Sequence, residues 1–210
     1  MELNRVKLPK IIEQKVRTWY RLHNKKKNGF MTKSDFVEMT QQFIEEYDLS
    51  TPVAEKVRSW LVHGWSSMIE FIKTSEDNGN ALDTVPTVLK VAKILSSEGK
   101  VTEDMYVHAY IESMQLQPSP FPTCFRQMVS LFFNVFDTDK DGYLTVDDLI
   151  RGLRCFGITN TEAVRAVFND IDVNNTGKID MECYISAWVE FMTGTDANAA
   201  MAKHFTPAIL

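Results

Sequence analysis

Asp137-Thr138-Asp139-Lys140-Asp141-Gly142-Tyr143-Leu144-Thr145-Val146-Asp147-Asp148 is the stretch from which the rest of the chain can be read. Acidic residues stand at its first, third and fifth places (Asp137, Asp139, Asp141), and Gly142 at its sixth. Carboxylates on alternate residues repel one another unless a cation lies between them. A twelve-residue loop that wraps a calcium ion has this order, with side-chain oxygens first, a glycine at the sharp turn, a backbone carbonyl at seven and a carboxylate at twelve. Tyr143 then offers its carbonyl, Thr145 an oxygen through water, and Asp148 the closing carboxylate. Leu144, at position eight, suits the short bridge that pairs two such loops. Asp148 is one methylene shorter than the usual glutamate and reaches in less far. Magnesium, with its smaller oxygen shell, is then easier to satisfy than calcium, so the site is expected to hold magnesium at rest.

The pattern recurs at Asp172, and the flanking apolar residues recur with it. Met128, Val129, Phe132, Phe133 and Phe136 lead into the first loop; Ala163, Val164, Val167, Phe168 and Ile171 lead into the second. Leu149, Ile150 and Leu153 lead out of the one, Tyr184 and Trp188 out of the other. Two helix–loop–helix units of this kind form an internal repeat in which each covers the other's apolar face. In the second loop Asp172, Asn174 and Thr176 offer oxygens, Gly177 turns the chain, Lys178 stands at the carbonyl position and Asp180 at nine. Position twelve is Cys183, a soft thiol and a poor ligand for a hard cation. Glu182 is one residue early and should point elsewhere. This site is expected to be the weaker of the two.

The first half carries worn versions of the same unit. Ile12, Val16, Trp19, Tyr20 and His23 mark an amphipathic helix over 8–23. Aligning Gly29 with Gly142 makes Asn24–Asp35 a twelve-residue loop, with Asn24, Asn28 and Asp35 on ligand positions. Lys26 occupies position three, within Lys25-Lys26-Lys27, and three lysines repel a divalent cation. The loop keeps its shape without its chemistry. Phe36, Met39 and Phe43 continue as its exit helix. Thr51-Pro52 reads as a cap and a first helical proline, starting a stripe of Val53, Val57, Trp60, Leu61, Gly64, Met68 and Ile72. Thr74–Asn80 reads as a loop, and 84–95 as a helix. Around Gly99 a second degenerate loop runs from Ile94 to Met105, with Val101 at the bridge position and Tyr106 starting its exit helix. Pro118, Pro120 and Pro122 break the chain between the halves.

Composition bounds the function. The chain has 210 residues, 44% hydrophobic, with a net charge of -5, so it is globular and lacks the basic face of a nucleic-acid binder. No apolar run reaches the roughly 20 residues that span a bilayer. No signal-peptide core or myristoylation glycine opens the sequence, and Cys124, Cys155 and Cys183 are odd in number, which fits a reducing cytosol. A cytoplasmic monomer without nucleic-acid or membrane partners is the expectation. No nucleophile motif or phosphate loop appears, so no enzyme is expected. Cys124 and Cys155 read as buried small hydrophobes.

These loops identify the chain as resembling the EF-hand superfamily. Val16-Arg17-Thr18-Trp19-Tyr20, Phe132-Phe133-Asn134-Val135-Phe136-Asp137 and Phe191-Met192-Thr193-Gly194-Thr195-Asp196 are similar to stretches of the invertebrate sarcoplasmic calcium-binding proteins. Calexcitin, the coelenterazine-binding proteins and the calcium-triggered photoproteins share that fold. The resemblance implies a compact all-α globule of four EF-hands in two pairs. Residues 1–115 would hold the N-terminal pair, 123–193 the C-terminal pair with the metal sites, and 194–210 a tail packed on the core. It implies a calcium- and magnesium-binding protein, a buffer or signal modulator. Two other readings stand beside it. One is a carrier of a small apolar ligand in an aromatic-lined cavity, to which Trp19, Trp60, Trp65 and Trp188 could contribute, although aromatic stripes at helical spacing are ordinary core. No repeated histidine–tryptophan–tyrosine grouping marks a photoprotein. The other is a calcium sensor that opens towards a target protein, against which stands the single well-equipped loop.

Overall fold

Apolar residues every three or four places fold Lys10–His23 into the first helix, α1, which buries Ile12, Val16, Trp19, Tyr20 and His23. The computed structural model describes residues 9–24, 26–76, 99–116 and 120–206, with side chains at all of these but 63, 65–76, 115–116 and 120–124. After α1 come β1 (Phe30–Met31), α2 (Lys33–Tyr47) and α3 (Thr51–Glu76), then β2 (Val101–Thr102) and α4 (Glu103–Leu116). The second half runs α5 (Pro120–Phe136), β3 (Tyr143–Leu144), α6 (Val146–Cys155), α7 (Thr161–Ile171), β4 (Ile179–Asp180), α8 (Met181–Thr193) and α9 (Ala200–Phe205). The fold is all-α, and its strands are two-residue bridges. Met31 stands opposite Val101, and Leu144 opposite Ile179. All four are loop position eight, so the bridges pair loop one with loop two and loop three with loop four, as expected.

The exit helices begin earlier than their apolar residues suggest. α2 starts at Lys33 rather than Phe36, and α4 at Glu103 rather than Tyr106. The cause is capping. Thr32 and Asp35 form a reciprocal capping box at the start of α2, which satisfies backbone donors that a helix's first turn leaves open. At α4 the Thr102 hydroxyl accepts the Met105 N–H at 3.4 Å, and Glu103 and Asp104 lie in the first turn, where negative charge is favourable. α3 begins at Thr51 itself, the expected cap, one place early: the Ser50 carbonyl takes the first bonds, from Val53 and Ala54. It runs on through Thr74, Ser75 and Glu76, which the sequence places in a loop, because no glycine or proline interrupts it there. Residues 77–80, the helix expected over 84–95 and the Ile94 end of loop two lie outside the described residues.

The prolines are corrected as well. Pro120 is the first residue of α5 and Pro122 lies in its first turn, so these two open a helix, while Pro118 lies outside the described residues. Proline is tolerated there because first-turn N–H groups have no intrahelical acceptor.

One core joins the halves. α1 packs on α4 and α8, α2 on α6, and α3 on α5. Phe43 of α2 meets Phe156 at 4.8 Å and Phe132 at 5.1 Å between ring centres, and Trp19 meets Trp188 at 5.2 Å. Trp19 and Trp188 are buried, Trp60 is half-buried, and Trp65 is a residue whose side chain is not described. Gly152 of α6 lies against the Phe136 ring, with 2.3 Å from an added Cβ to Cζ, so any side chain would have to displace the residue that leads into loop three. Polar ties cross the same seams. Arg151 bonds Glu46 at 2.8 Å and lies 4.4 Å over the Tyr47 ring. Arg17 reaches Glu103 at 2.9 Å and Asp104 at 2.8 Å. Cys155 is buried as expected, Cys183 is exposed, and the side chain of Cys124 is outside the description. Among the described residues, no helix is long and apolar enough to cross a membrane.

Candidate metal centre

α5 ends at Phe136, and its C-terminus delivers Asp137 into the loop, where the Asp137 N–H still bonds the Phe133 carbonyl at 2.9 Å. Lys140 (φ 60°) and Gly142 (φ 85°) are left-handed and fold the loop back. Left-handed backbone suits glycine and strains other residues, so Lys140 holds a conformation that the loop imposes. Its ammonium turns outward to the carbonyls of Asn134 and Asp137. That leaves the interior to carboxylates. Asp137, Asp139 and Asp141 each present an oxygen within 4.8 Å of the other two.

Their hydrogen bonds show which oxygens are engaged. Asp137 is 4% exposed. Its Oδ2 accepts the Gly142 N–H at 3.1 Å, while its Oδ1 is buried without a partner. Asp139 accepts the Asp141 N–H at 3.3 Å, and Asp141 Oδ1 the Tyr143 N–H at 2.8 Å. Asp141 Oδ2 meets the ammonium of Lys178, which crosses from loop four. That ammonium, and then the Tyr143 N–H, hold the Asp141 carboxyl below the usual range. Buried polar atoms are nearly always partnered, so a lone carboxylate oxygen facing two more carboxylates marks a cation site. The donor set is hard oxygen, which fits calcium or magnesium.

Two expected ligands are used otherwise. Asp148 Oδ2 accepts from the Thr145 N–H at 2.9 Å and the Thr145 hydroxyl at 2.6 Å. Together they form the capping box of α6, and Asp148 is outside the carboxylate cluster. A capping box draws on the residue types that metal positions nine and twelve require, so spacing alone does not separate the roles. Tyr143 leaves its side chain exposed, as a residue that offers only a carbonyl should.

Loop four repeats the backbone, with Asn175 (φ 52°) and Gly177 (φ 74°) left-handed, but it spends its oxygens internally. Asp172 Oδ1 accepts the Thr176 N–H at 3.0 Å and Oδ2 the Gly177 N–H at 2.7 Å; these bonds, Thr176 first, lower its pKa. The Thr176 hydroxyl lies between Asp172 Oδ1 at 3.0 Å and the Lys178 carbonyl at 2.9 Å. Asp180 caps α8 by accepting the Cys183 N–H at 2.8 Å. The Cys183 thiol, though its residue is exposed, is pushed up by partial desolvation and then by the Asp180 carboxylate. Glu182 points away and pairs with Arg126 at 2.8 Å. Asn174 is exposed. The structure therefore gathers Asp137, Asp139 and Asp141 in loop three and leaves Asp172, Thr176 and Asp180 bonded within loop four. Sequence reasoning missed Lys178 as the partner of Asp141.

Residues 126–188 match the EF-hand domain pair. The sarcoplasmic calcium-binding protein of Mizuhopecten yessoensis is 24% identical over 104 residues, 50% of this chain and 58% of that protein. The chain thus spans little more than half the length of that relative. The luciferin-binding protein of Renilla reniformis is 23% identical over 175 residues, 82% of this chain and 80% of that protein. Apo-aequorin in complex with (S)-HM-daCTZ superposes with a TM-score of 0.65 at 13% identity, over 97% of this chain and 93% of that one. Residues 126–188 are thus similar to an EF-hand domain pair, and the chain shares its fold with apo-aequorin.

Proposed function

We propose that the chain is a cytosolic, monomeric calcium- and magnesium-binding protein without catalytic activity, a buffer or signal modulator of the sarcoplasmic type. The observation that carries the reading is the buried, unpartnered Oδ1 of Asp137 among three carboxylates. Asp137, Asp139, Asp141 and the Tyr143 carbonyl would hold the ion, which supplies the positive charge that these oxygens lack among themselves. The short reach of Asp148, and its engagement with Thr145, favour an ion content with a smaller protein shell. Magnesium, which keeps several waters, fits that shell. Calorimetric titration with calcium tests this. One dominant site is expected, with its apparent calcium affinity reduced about tenfold in millimolar magnesium. Absence of binding heat would remove the metal-binding reading, and an affinity indifferent to magnesium would remove the magnesium component.

A second reading, a carrier of a small apolar ligand, draws support from the luciferin-binding relative, whose match runs over 82% of this chain. Against it, Trp19, His23, Trp188 and Tyr184 make direct ring contacts at 4.0 to 6.3 Å, so this part of the core is filled. Titration with anilinonaphthalene sulfonate separates the readings. Saturable binding of one dye per chain without calcium favours a carrier. Binding that appears only with calcium favours a sensor, and none favours the buffer.

A further inference from the structure

Loop one is the third described place where the fold builds this turn, and there a lysine ammonium pairs with the closing carboxylate. Its described backbone follows loops three and four. Position four is left-handed in all three, at φ 49° (Lys27), 60° (Lys140) and 52° (Asn175). Position six is a left-handed glycine in all three, at 83°, 85° and 74°. Position five bonds the N–H of position seven in each: Asn28 to Phe30 at 3.3 Å, Asp141 to Tyr143 at 2.8 Å, Thr176 to Lys178 at 3.3 Å. Such a turn gathers oxygens, and gathered oxygens need positive charge.

In loop one that charge is internal. The Lys26 ammonium, from position three, lies 2.9 Å from Asp35 Oδ1 at position twelve and 2.7 Å from Glu38 Oε1, one turn into α2. Asp35 is well covered, with its side chain 13% exposed. Its Oδ2 is taken by the Thr32 N–H at 2.7 Å and hydroxyl at 2.8 Å. Every strong acceptor of the loop's closing carboxylate is thus engaged. We propose that the Lys26 ammonium is the resident cation of loop one, holding the loop in metal-loop geometry and excluding divalent metal. β1 and its bridge to β2 then form without calcium, and the N-terminal pair is a fixed platform for the C-terminal pair. Lys26 remains 46% exposed, so it contributes little to overall stability. Its effects fall on local order and on metal choice.

The inference is independent of which metal loop three takes, because the test compares each variant with its own parent. Asn24→Asp/Lys26→Asp restores carboxylates at positions one and three. It should bind one more calcium per chain than the parent in equilibrium dialysis at millimolar calcium, with the Gly29 amide resonance moving on addition. Lys26→Met, in chelator, should exchange the Met31 and Val101 amides about threefold faster than the parent, whereas Lys26→Arg should not. An unchanged calcium count in the double variant overturns the proposal. So does a parent Gly29 amide that responds directly to calcium, and so does unchanged exchange in Lys26→Met. If the double variant does not fold, the Lys26→Met measurement decides.

Discussion

Asp137→Asn is expected to raise the melting temperature of the metal-free protein and to abolish most of its stabilisation by calcium. The two effects have opposite signs because one atom causes both. Asp137 Oδ1 is buried and has no partner, and the Asp137, Asp139 and Asp141 carboxylates each present an oxygen within 4.8 Å of the other two. Burying such a group costs free energy that only a cation returns. An asparagine keeps the acceptor for the Gly142 N–H, removes the charge, and offers an N–H to the neighbouring carboxylates. Relief of about 1–2 kcal/mol is expected without metal, which for a chain of this size is about 4 °C. With metal the balance reverses. The asparagine has lost one of three anionic ligands, and calcium affinity should fall on the order of 100-fold, since loops of this kind tune their affinity by ligand charge. A ligand present at 1,000 times its dissociation constant stabilises by about 4 kcal/mol, so a calcium-induced shift of roughly 10 °C should shrink to a few degrees. Thermal melts with and without calcium, beside calorimetry, check both halves. A metal-free variant less stable than the parent would mean that Asp137 is a structural capping group and not a ligand kept ready.

That prediction could be framed from the sequence because a metal loop is a local pattern. Asp137, Asp139, Asp141 and Gly142 stand within six residues, and the turn that joins them needs no distant contact to be inferred. The bridge residues Val101 and Leu144 were legible for the same reason, from their fixed offset to the glycine; their partners are Met31 and Ile179. Apolar spacing placed the helices, but not where they start. Thr32 with Asp35, Thr145 with Asp148, and Asp180 with the Cys183 N–H all serve helix starts from loop positions nine and twelve. Oxygen-bearing side chains suit a cap and a cation alike, so the competition appears only in the geometry. Prolines misled in a similar way, since Pro120 is forbidden inside a helix and welcome at its first residue. Lysines were the least legible. A four-carbon stem carries its charge far from its own position, and nothing in linear spacing tells that Lys178 ends at Asp141 or Lys26 at Asp35.

Lys15 is the third such lysine, and its removal is the largest expected loss of stability. It lies on the buried face of α1 with its side chain 0% exposed. Its ammonium bonds the Glu190 and Gly194 carbonyls at 3.1 Å each, with Glu190 Oε1 at 3.9 Å. These carbonyls close the C-terminal end of α8, where positive charge is favourable. The contact fastens the first helix to the last long one, across more than 170 residues of chain. Lys15→Met keeps the aliphatic stem but leaves the Gly194 carbonyl without its charged donor, which should cost about 2 kcal/mol. Lys15→Ala adds a cavity, and about 4 kcal/mol is expected. The pH dependence sets the sign of the charge's own contribution. Burial lowers the Lys15 pKa from its usual 10.5, opposed by Glu190 and Asp196. Between the lowered folded value and 10.5 the unfolded chain binds more protons, so this group makes stability rise with pH in that window. The Lys15→Met variant lacks the rise. Its deficit against the parent, measured by urea denaturation, should therefore be larger at pH 10 than at pH 7. A deficit that shrinks at pH 10 would show that attraction to the carbonyls and Glu190 outweighs desolvation, and that the α1–α8 clasp is held by charge.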